Sequence, residues 1–419
     1  MAFRRGLALV LRTGGFAAPM LSSAVIGLIS IPVVISSTNS SAWASIAVGQ
    51  SVATLFGVFV SFGWGTTGPN LVARCPAPMR PQLYFDSLVT RLYLFIFVLP
   101  VAASVAFVLN ATYPQLSTLA CIAAVIPYLG ASWYFVGQAK PLSLFLRDFF
   151  PQAVGTMIGL ASLSVTRDGL TLVYCQIAGN LIGVALSASH ILWRPPIRLA
   201  LNFGVVPAFK RLRTQRHGVI VASTSTLYVN LPIIVVSALV PAGLPFYVLG
   251  DKFFRYGVSA LGPLTQMLQG WIPQAGQQAE VARIRRVIPM ALLCGTLGGL
   301  AIALGGPSAS SILTHGRLAI DSSLSVPIGL TFFAVSISQI FGLACLLPLN
   351  EGRALAISTV SGALAGIPAI LIGAHFGGYI GVAWAVGLSE AVVATYQAVI
   401  LVNRLNRGAS EQSILALQN

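Results

Sequence analysis

The sequence predicts an all-α integral membrane protein of about twelve transmembrane helices in two pseudo-symmetric six-helix bundles, and three observations carry that expectation. First, 56% of the 419 residues are apolar and only 8% are charged. A soluble domain carries about 25% charged residues, so this chain lacks the polar material to cover a water-facing surface of its size. Second, uncharged stretches recur from end to end. At about 20 residues per spanning helix, twelve spans take roughly 240 positions, which leaves loops and tails but no large soluble domain. Third, the basic residues are segregated: of 24 Lys and Arg, twenty fall on one side of the expected helices, two (Arg167 and Arg317) on the other and two within spans.

Taken in order, the N-terminal segment carries Arg4, Arg5 and Arg12. Arg12 interrupts its apolar run and a full-length span follows, which predicts a retained first helix in place of a cleaved signal peptide. Residues 13–73 contain no Asp, Glu, Lys or Arg, and the polar run at 36–41 divides them into spans at 16–36 and 43–63. The same reasoning places spans at 85–109, 116–136, 144–165 and 170–193, and then at 218–240, 245–272, 287–305, 324–348, 354–374 and 380–402. The expected organisation is a six-helix bundle at 1–193, a basic linker at 194–217 and a second six-helix bundle with a short tail at 218–419. All six tryptophans (Trp43, Trp64, Trp133, Trp193, Trp271, Trp384) fall near a span end, the position expected of headgroup anchors.

By the positive-inside rule both termini and the linker are cytoplasmic. The formal charge of +15 is then an orientation signal. The linker's Lys210, Arg211 and Arg213 are expected to meet anionic inner-leaflet lipid, not nucleic acid. Cys75, Cys121, Cys175, Cys294 and Cys345 are scattered and odd in number, without a CxxC pair, so they predict neither a disulfide framework nor a metal site. GxSxG, GxxxxGK[ST] and HExxH are absent, which removes the usual hydrolase and ATPase signatures. No expected outer loop is long enough to hold the catalytic domain of a polysaccharide polymerase or glycosyltransferase, so an enzyme is the weaker alternative.

Beyond those near cytoplasmic span ends, four ionisable residues lie inside expected spans: Asp251, Lys252 and Arg255 in the eighth and Glu390 in the twelfth. Each costs about 2.5–3.5 kcal/mol at a bilayer centre, so together they predict a wet cavity or mutual pairing. Asp251 and Arg255, four residues apart, share a helical face. Glu390 is a mid-span carboxylate: a coupling site for a proton or cation, a sugar acceptor, or a partner of Lys252. Arg12, Arg91 and Arg147 abut cytoplasmic span ends and could offer a planar donor fork to phosphate; ordinary anchoring is the alternative. Gln50, Asn70, Asn230 and Gln266 could bond a sugar or a neighbouring helix.

The halves echo one another. Ser30-Ile31-Pro32-Val33-Val34 recurs as Asn230-Leu231-Pro232-Ile233-Ile234, Val48-Gly49-Gln50 as Leu249-Gly250-Asp251, and Gly63-Trp64 as Gly270-Trp271. Duplicated halves predict a transporter with its site between them. With Gly49-Gln50-Ser51, the segment from Phe62 to Pro69, Leu249-Gly250-Asp251-Lys252 and Leu268-Gln269-Gly270-Trp271-Ile272-Pro273, the chain resembles the oligosaccharide flippases of polysaccharide biosynthesis. Their superfamily also holds the multidrug and toxic-compound extrusion antiporters. The resemblance covers nearly the whole chain.

The resemblance implies two six-helix bundles forming a V around a central cavity, alternating access, and no cofactor. It implies an isoprenoid diphosphate-linked oligosaccharide as cargo, flipped from the cytoplasmic to the outer leaflet. Mapped onto this sequence, Arg255 and Lys252 are the central diphosphate candidates and Arg12, Arg91 and Arg147 those at the mouth. Coupling to membrane potential, H+ or Na+, and partnership with a polymerase and glycosyltransferases, are further expectations. The related lipid II flippases carry two more C-terminal helices, which lowers that role. A cation-coupled drug or metabolite antiporter, using Glu390 or Asp251, is the main alternative.

Overall fold

The computed structural model describes residues 22–193, 200–204, 226–272, 277–349 and 351–417, with single positions 19, 212, 219 and 223. Arg12 and the linker's Lys210, Arg211 and Arg213 lie outside the described residues. Among the described residues every regular element is helical, and the chain divides into two compact units, 1–238 and 239–419.

The first unit holds α1 (Ser22–Ser37), α2 (Ser40–Ser61), α3 (Trp64–Arg74), α4 (Arg80–Leu109), α5 (Pro114–Val125), α6 (Ser132–Gly137), α7 (Pro141–Thr166), α8 (Gly169–Leu192) and most of α9 (Thr226–Leu239). Local chemistry sets their starts. The Asn39 carboxamide oxygen caps α2 by accepting from Ala42 N at 2.8 Å, and Asp168 caps α8 by accepting from Leu170 N at 3.0 Å. Proline opens α4, α5 and α7 at the first or second position, where its missing N–H has no helical partner to lose.

Residues 62 and 63 are both left-handed (φ 40° and 82°) and end α2 where the second expected span ends; α3, which follows, is a separate amphipathic helix that lies beyond that span. It buries Trp64, Gly68 and Val72 along one stripe. Within α7 the turn Leu144–Phe149 is wider, a π-helix.

The second unit holds α10 (Leu244–Trp271), α11 (Gln277–Leu313), α12 (Ser322–Leu346) and α13 (Gly352–Leu417). Asp321 caps α12 through Leu324 N at 3.3 Å. α13 breaks at Gly378 (φ 58°, ψ −147°), between the eleventh and twelfth expected spans; only glycine takes that conformation without strain.

Among the described residues eight helices are long and apolar enough to cross a membrane, and two more, α1 and α9, are apolar but shorter. α10 has the length, 28 residues, but carries Asp251, Lys252 and Arg255 within five positions. Outward faces are apolar: Phe97 is 65% exposed, Leu304 75% and Phe376 83%, surfaces that hydrocarbon covers without cost and water does not.

The tryptophan expectation needs correction. Trp43, Trp64 and Trp133 are buried in protein at 4–5% exposure. A large indole near a span end serves equally as packing material, and here α3, α4 and α6 close over Trp64 and Trp133, whose rings lie 5.1 Å apart. Trp193, Trp271 and Trp384 remain exposed.

Helix crossings rest on missing side chains. A Cβ on Gly155 of α7 would lie 2.6 Å from Cys175 O and 2.8 Å from Gly179 Cα of α8. Gly155→Val is therefore expected to cost about 1–3 kcal/mol of stability, seen as a lower melting temperature in detergent. Gly65→Ala, whose Cβ meets nothing within 4 Å, is the control expected to leave it unchanged.

Candidate functional site

The charged group of α10 begins seven residues into the helix, so Asp251, Lys252 and Arg255 belong to its body and not to its entrance. Their seat is set by glycine. A Cβ on Gly250 would lie 2.1 Å from Ile328 Cδ1, and one on Gly257 2.7 Å from Phe332, so this stripe of α10 presses on α12. At about 100° per residue, Lys252 projects well round the helix from that contact. Asp251 and Arg255 share a flank, and Arg255 Nε donates to Asp251 Oδ2 at 2.6 Å, as their spacing predicted.

Side-chain exposure is 12% for Asp251 and 31% for Arg255. Lys252 is half-buried and makes no salt bridge among the described residues; its electrostatic neighbours are Asp251 and Arg255. With the carboxylate engaged by Arg255, the group keeps a formal charge of +1. An ammonium held in a partly buried site without its own counter-ion can attract an anionic group that supplies one.

Glu390 sits half-buried on the second limb of α13. That limb is held close to α12 at Gly387, whose Cβ would fall 3.1 Å from Pro327 O and 3.2 Å from Thr331 Oγ1. The neighbouring Ser389 bonds back to Val386 O at 2.9 Å.

The remaining residues singled out in the sequence are dispersed. Arg147 reaches back from the π-helical turn of α7 to Ser143 Oγ at 2.9 Å. Gln50 is half-buried on α2, and Asn70 is exposed on α3. Asn230 is buried and bonds to Thr226 O at 2.9 Å within its own helix. The side chain of Gln266 lies outside the described residues.

Arg91 is 1% exposed and sits inside the first unit. Its Nε donates to Ser87 Oγ at 3.0 Å, and Nη1 donates to Tyr128 O at 2.9 Å and Gly130 O at 2.8 Å. The guanidinium carbon lies 5.5 Å from the Trp133 ring centre and 6.0 Å from that of Tyr84. Asp148, 8% exposed, accepts from Ala131 N at 3.4 Å. Gly130 O and Ala131 N belong to one peptide group, so a cation holds its oxygen end and a carboxylate its N–H end.

Sequence reasoning pairs Asp148 with Arg147 at the start of the fifth expected span but gives it no role of its own. Its signal was a carboxylate a few residues inside the fifth expected span, next to the Arg147 that drew attention.

No family model matches the chain, and no curated protein matches its sequence. Solved structures do match. An inward-facing multidrug resistance MATE family transporter of the MOP superfamily aligns over 95% of this chain and 98% of its own, with TM-score 0.64 and 13% identity. The eukaryotic MATE transporter AtDTX14 aligns over 98% and 99%, with TM-score 0.58 and 12% identity. A point mutant of the Vibrio cholerae MATE transporter VcmN aligns over 95% and 96%, with TM-score 0.53 and 14% identity. These likenesses cover nearly the whole chain, α1 to α13, and the protein shares the all-α fold of these MATE transporters.

Proposed function

We propose that the protein is a multi-pass transporter of the inner membrane, with both termini cytoplasmic, that moves an amphiphile with an anionic head by alternating access. What supports this choice of cargo is Lys252, which makes no salt bridge among the described residues, beside the Asp251–Arg255 pair in the body of α10. A diphosphate supplies the counter-charge this site lacks, and an organic cation does not. The preferred cargo is an isoprenoid diphosphate-linked oligosaccharide flipped outward during polysaccharide biosynthesis, with Arg147 and Arg12 gathering phosphate at the cytoplasmic entrance. A charge crossing 100 mV changes the energy by about 2.3 kcal/mol, so a head of two negative charges leaving a negative interior gains about twice that. Membrane potential can drive the step, and H+ or Na+ coupling is then supplementary. Basic cytoplasmic segments meet anionic lipid, and a polymerase and glycosyltransferases are the partners such a cargo requires.

A second function, a cation-coupled drug or metabolite antiporter, is supported by the multidrug transporter among the structural neighbours and by the membrane carboxylate Glu390. The two separate on Glu390→Gln. For the flippase, vesicles carrying this variant are expected to keep transport of a diphosphate-linked oligosaccharide under an imposed potential. For the antiporter, drug efflux driven by a cation gradient appears in the parent protein and disappears in the variant.

A further inference from the structure

Where α1 passes to α2, α4 to α5 and α7 to α8, the first unit holds a cavity of about 770 Å³, within the size range of small-molecule sites. In the orientation proposed above, with both termini cytoplasmic, this end faces the outer leaflet. Its wall contains Arg167, one of the two basic residues that the orientation rule leaves unexplained.

The polar groups of the wall divide into spent and available. Asn39 is spent: its Oδ1 caps α2 and its Nδ2 donates to Tyr113 Oη at 2.8 Å, which fixes the phenol and leaves its O–H free to donate. Asp168 is spent on the start of α8. Gln115 and Arg167 are exposed to the cavity side, and neither side chain has a hydrogen-bond or ion partner among the described residues. Thr112 likewise keeps its hydroxyl available. Beside these stand two flat apolar faces, the Tyr113 ring and the half-exposed Phe107.

A planar amide, a planar guanidinium and hydroxyls, set next to aromatic faces, match a pyranose. Its vicinal hydroxyls donate and accept at the spacing of a two-pronged group, and its C–H face packs on a ring. We propose that this cavity is a carbohydrate subsite, in which Gln115 and Arg167 bind sugar hydroxyls or an acidic substituent while Tyr113 and Phe107 cover the apolar face. As a carbohydrate site it stands on the cavity alone. As the station that receives the sugar of a flipped cargo it rests on the function proposed above.

Arg167 offers an unusual control. Its backbone is left-handed (φ 55°), a conformation that glycine adopts freely, so Arg167→Gly removes the guanidinium while relieving the backbone. The experiment is saturation-transfer NMR on the full chain in nanodiscs, with maltotriose and a galacturonate trisaccharide as probes. Transfer to trisaccharide protons is expected for the parent. Arg167→Gly and Gln115→Ala are each expected to bind about tenfold more weakly, the loss of one strong hydrogen bond, with melting temperature unchanged or raised in Arg167→Gly.

Absence of transfer from both probes, or undiminished transfer in both variants, overturns the subsite. So does displacement of the sugar by inorganic phosphate at equal concentration, which marks an anion site. Lys252→Ala is expected to leave trisaccharide binding unchanged. If trisaccharide binds while Lys252→Ala vesicles transport normally, the subsite stands and the proposed cargo site fails.

Discussion

Lys252→Ala is expected to abolish flipping of a diphosphate-linked oligosaccharide in reconstituted vesicles, with folded yield and melting temperature close to the parent. The two outcomes separate because Lys252 has no salt-bridge partner among the described residues to strand. Its removal takes away a charge-assisted contact worth about 1.5–3 kcal/mol to a phosphate, a loss of roughly tenfold or more in the binding of ground or transition state. Arg255→Ala also removes a cation, but it leaves the Asp251 carboxylate, 12% exposed, without the Nε donor it holds at 2.6 Å. A drop in activity there mixes lost cargo contact with a damaged site. Asp251→Asn combined with Arg255→Ala removes the stranded charge. Transport still absent in the stable double variant assigns Arg255 to the cargo. Transport restored assigns it to neutralising Asp251. Full activity of Lys252→Ala and of the double variant would remove both cations from the mechanism.

The sequence made the helices legible for a simple reason: charged residues cannot stay in hydrocarbon, so their absence draws the spans. The expected boundary between the last two spans fell beside Gly378, whose φ of 58° breaks α13, because glycine, loop and membrane surface coincide there. The Asp251–Arg255 pair was legible as well, since four-residue spacing fixes the shared face once the helix is given. What sequence could not give was the side of each helix that meets protein. Hydropathy is the same for a tryptophan at the headgroups and one packed between helices, so Trp43, Trp64 and Trp133 were placed wrongly. The end of α2 after Ser61 matches the expected end of the second span, but the short helix α3 beyond it was hidden, because Gly65, Gly68 and Pro69 read as loop residues. The cavity beside Arg167 joins residues from three loops that are distant in sequence, and only the unexplained charge pointed toward it.

Arg91→Ala is expected to lose folded protein before it loses transport. The side chain sits among α4, the turn after α5 and the aromatic cluster, and its donors satisfy Ser87 Oγ, Tyr128 O and Gly130 O. Truncation strands both carbonyls in a buried place and leaves Asp148, 8% exposed, without the cation that faces it across one peptide group. Removing one member of such a buried charge pair costs about 3–5 kcal/mol, a large share of the roughly 5–15 kcal/mol that holds a typical protein together. Arg91→Lys keeps the charge, but a single ammonium cannot reproduce the planar fork across two carbonyls, so an intermediate melting temperature is expected. Asp148→Asn keeps an oxygen for Ala131 N and removes only the charge, and it is expected to cost less than Arg91→Ala. An arginine that gathers phosphate at the cytoplasmic mouth gives the opposite pattern: a stable Arg91→Ala protein with impaired uptake of cargo. Melting curves of the three purified variants, read beside transport of the same preparations, decide between an internal clamp on the Gly130–Ala131 peptide and a contact with the transported head.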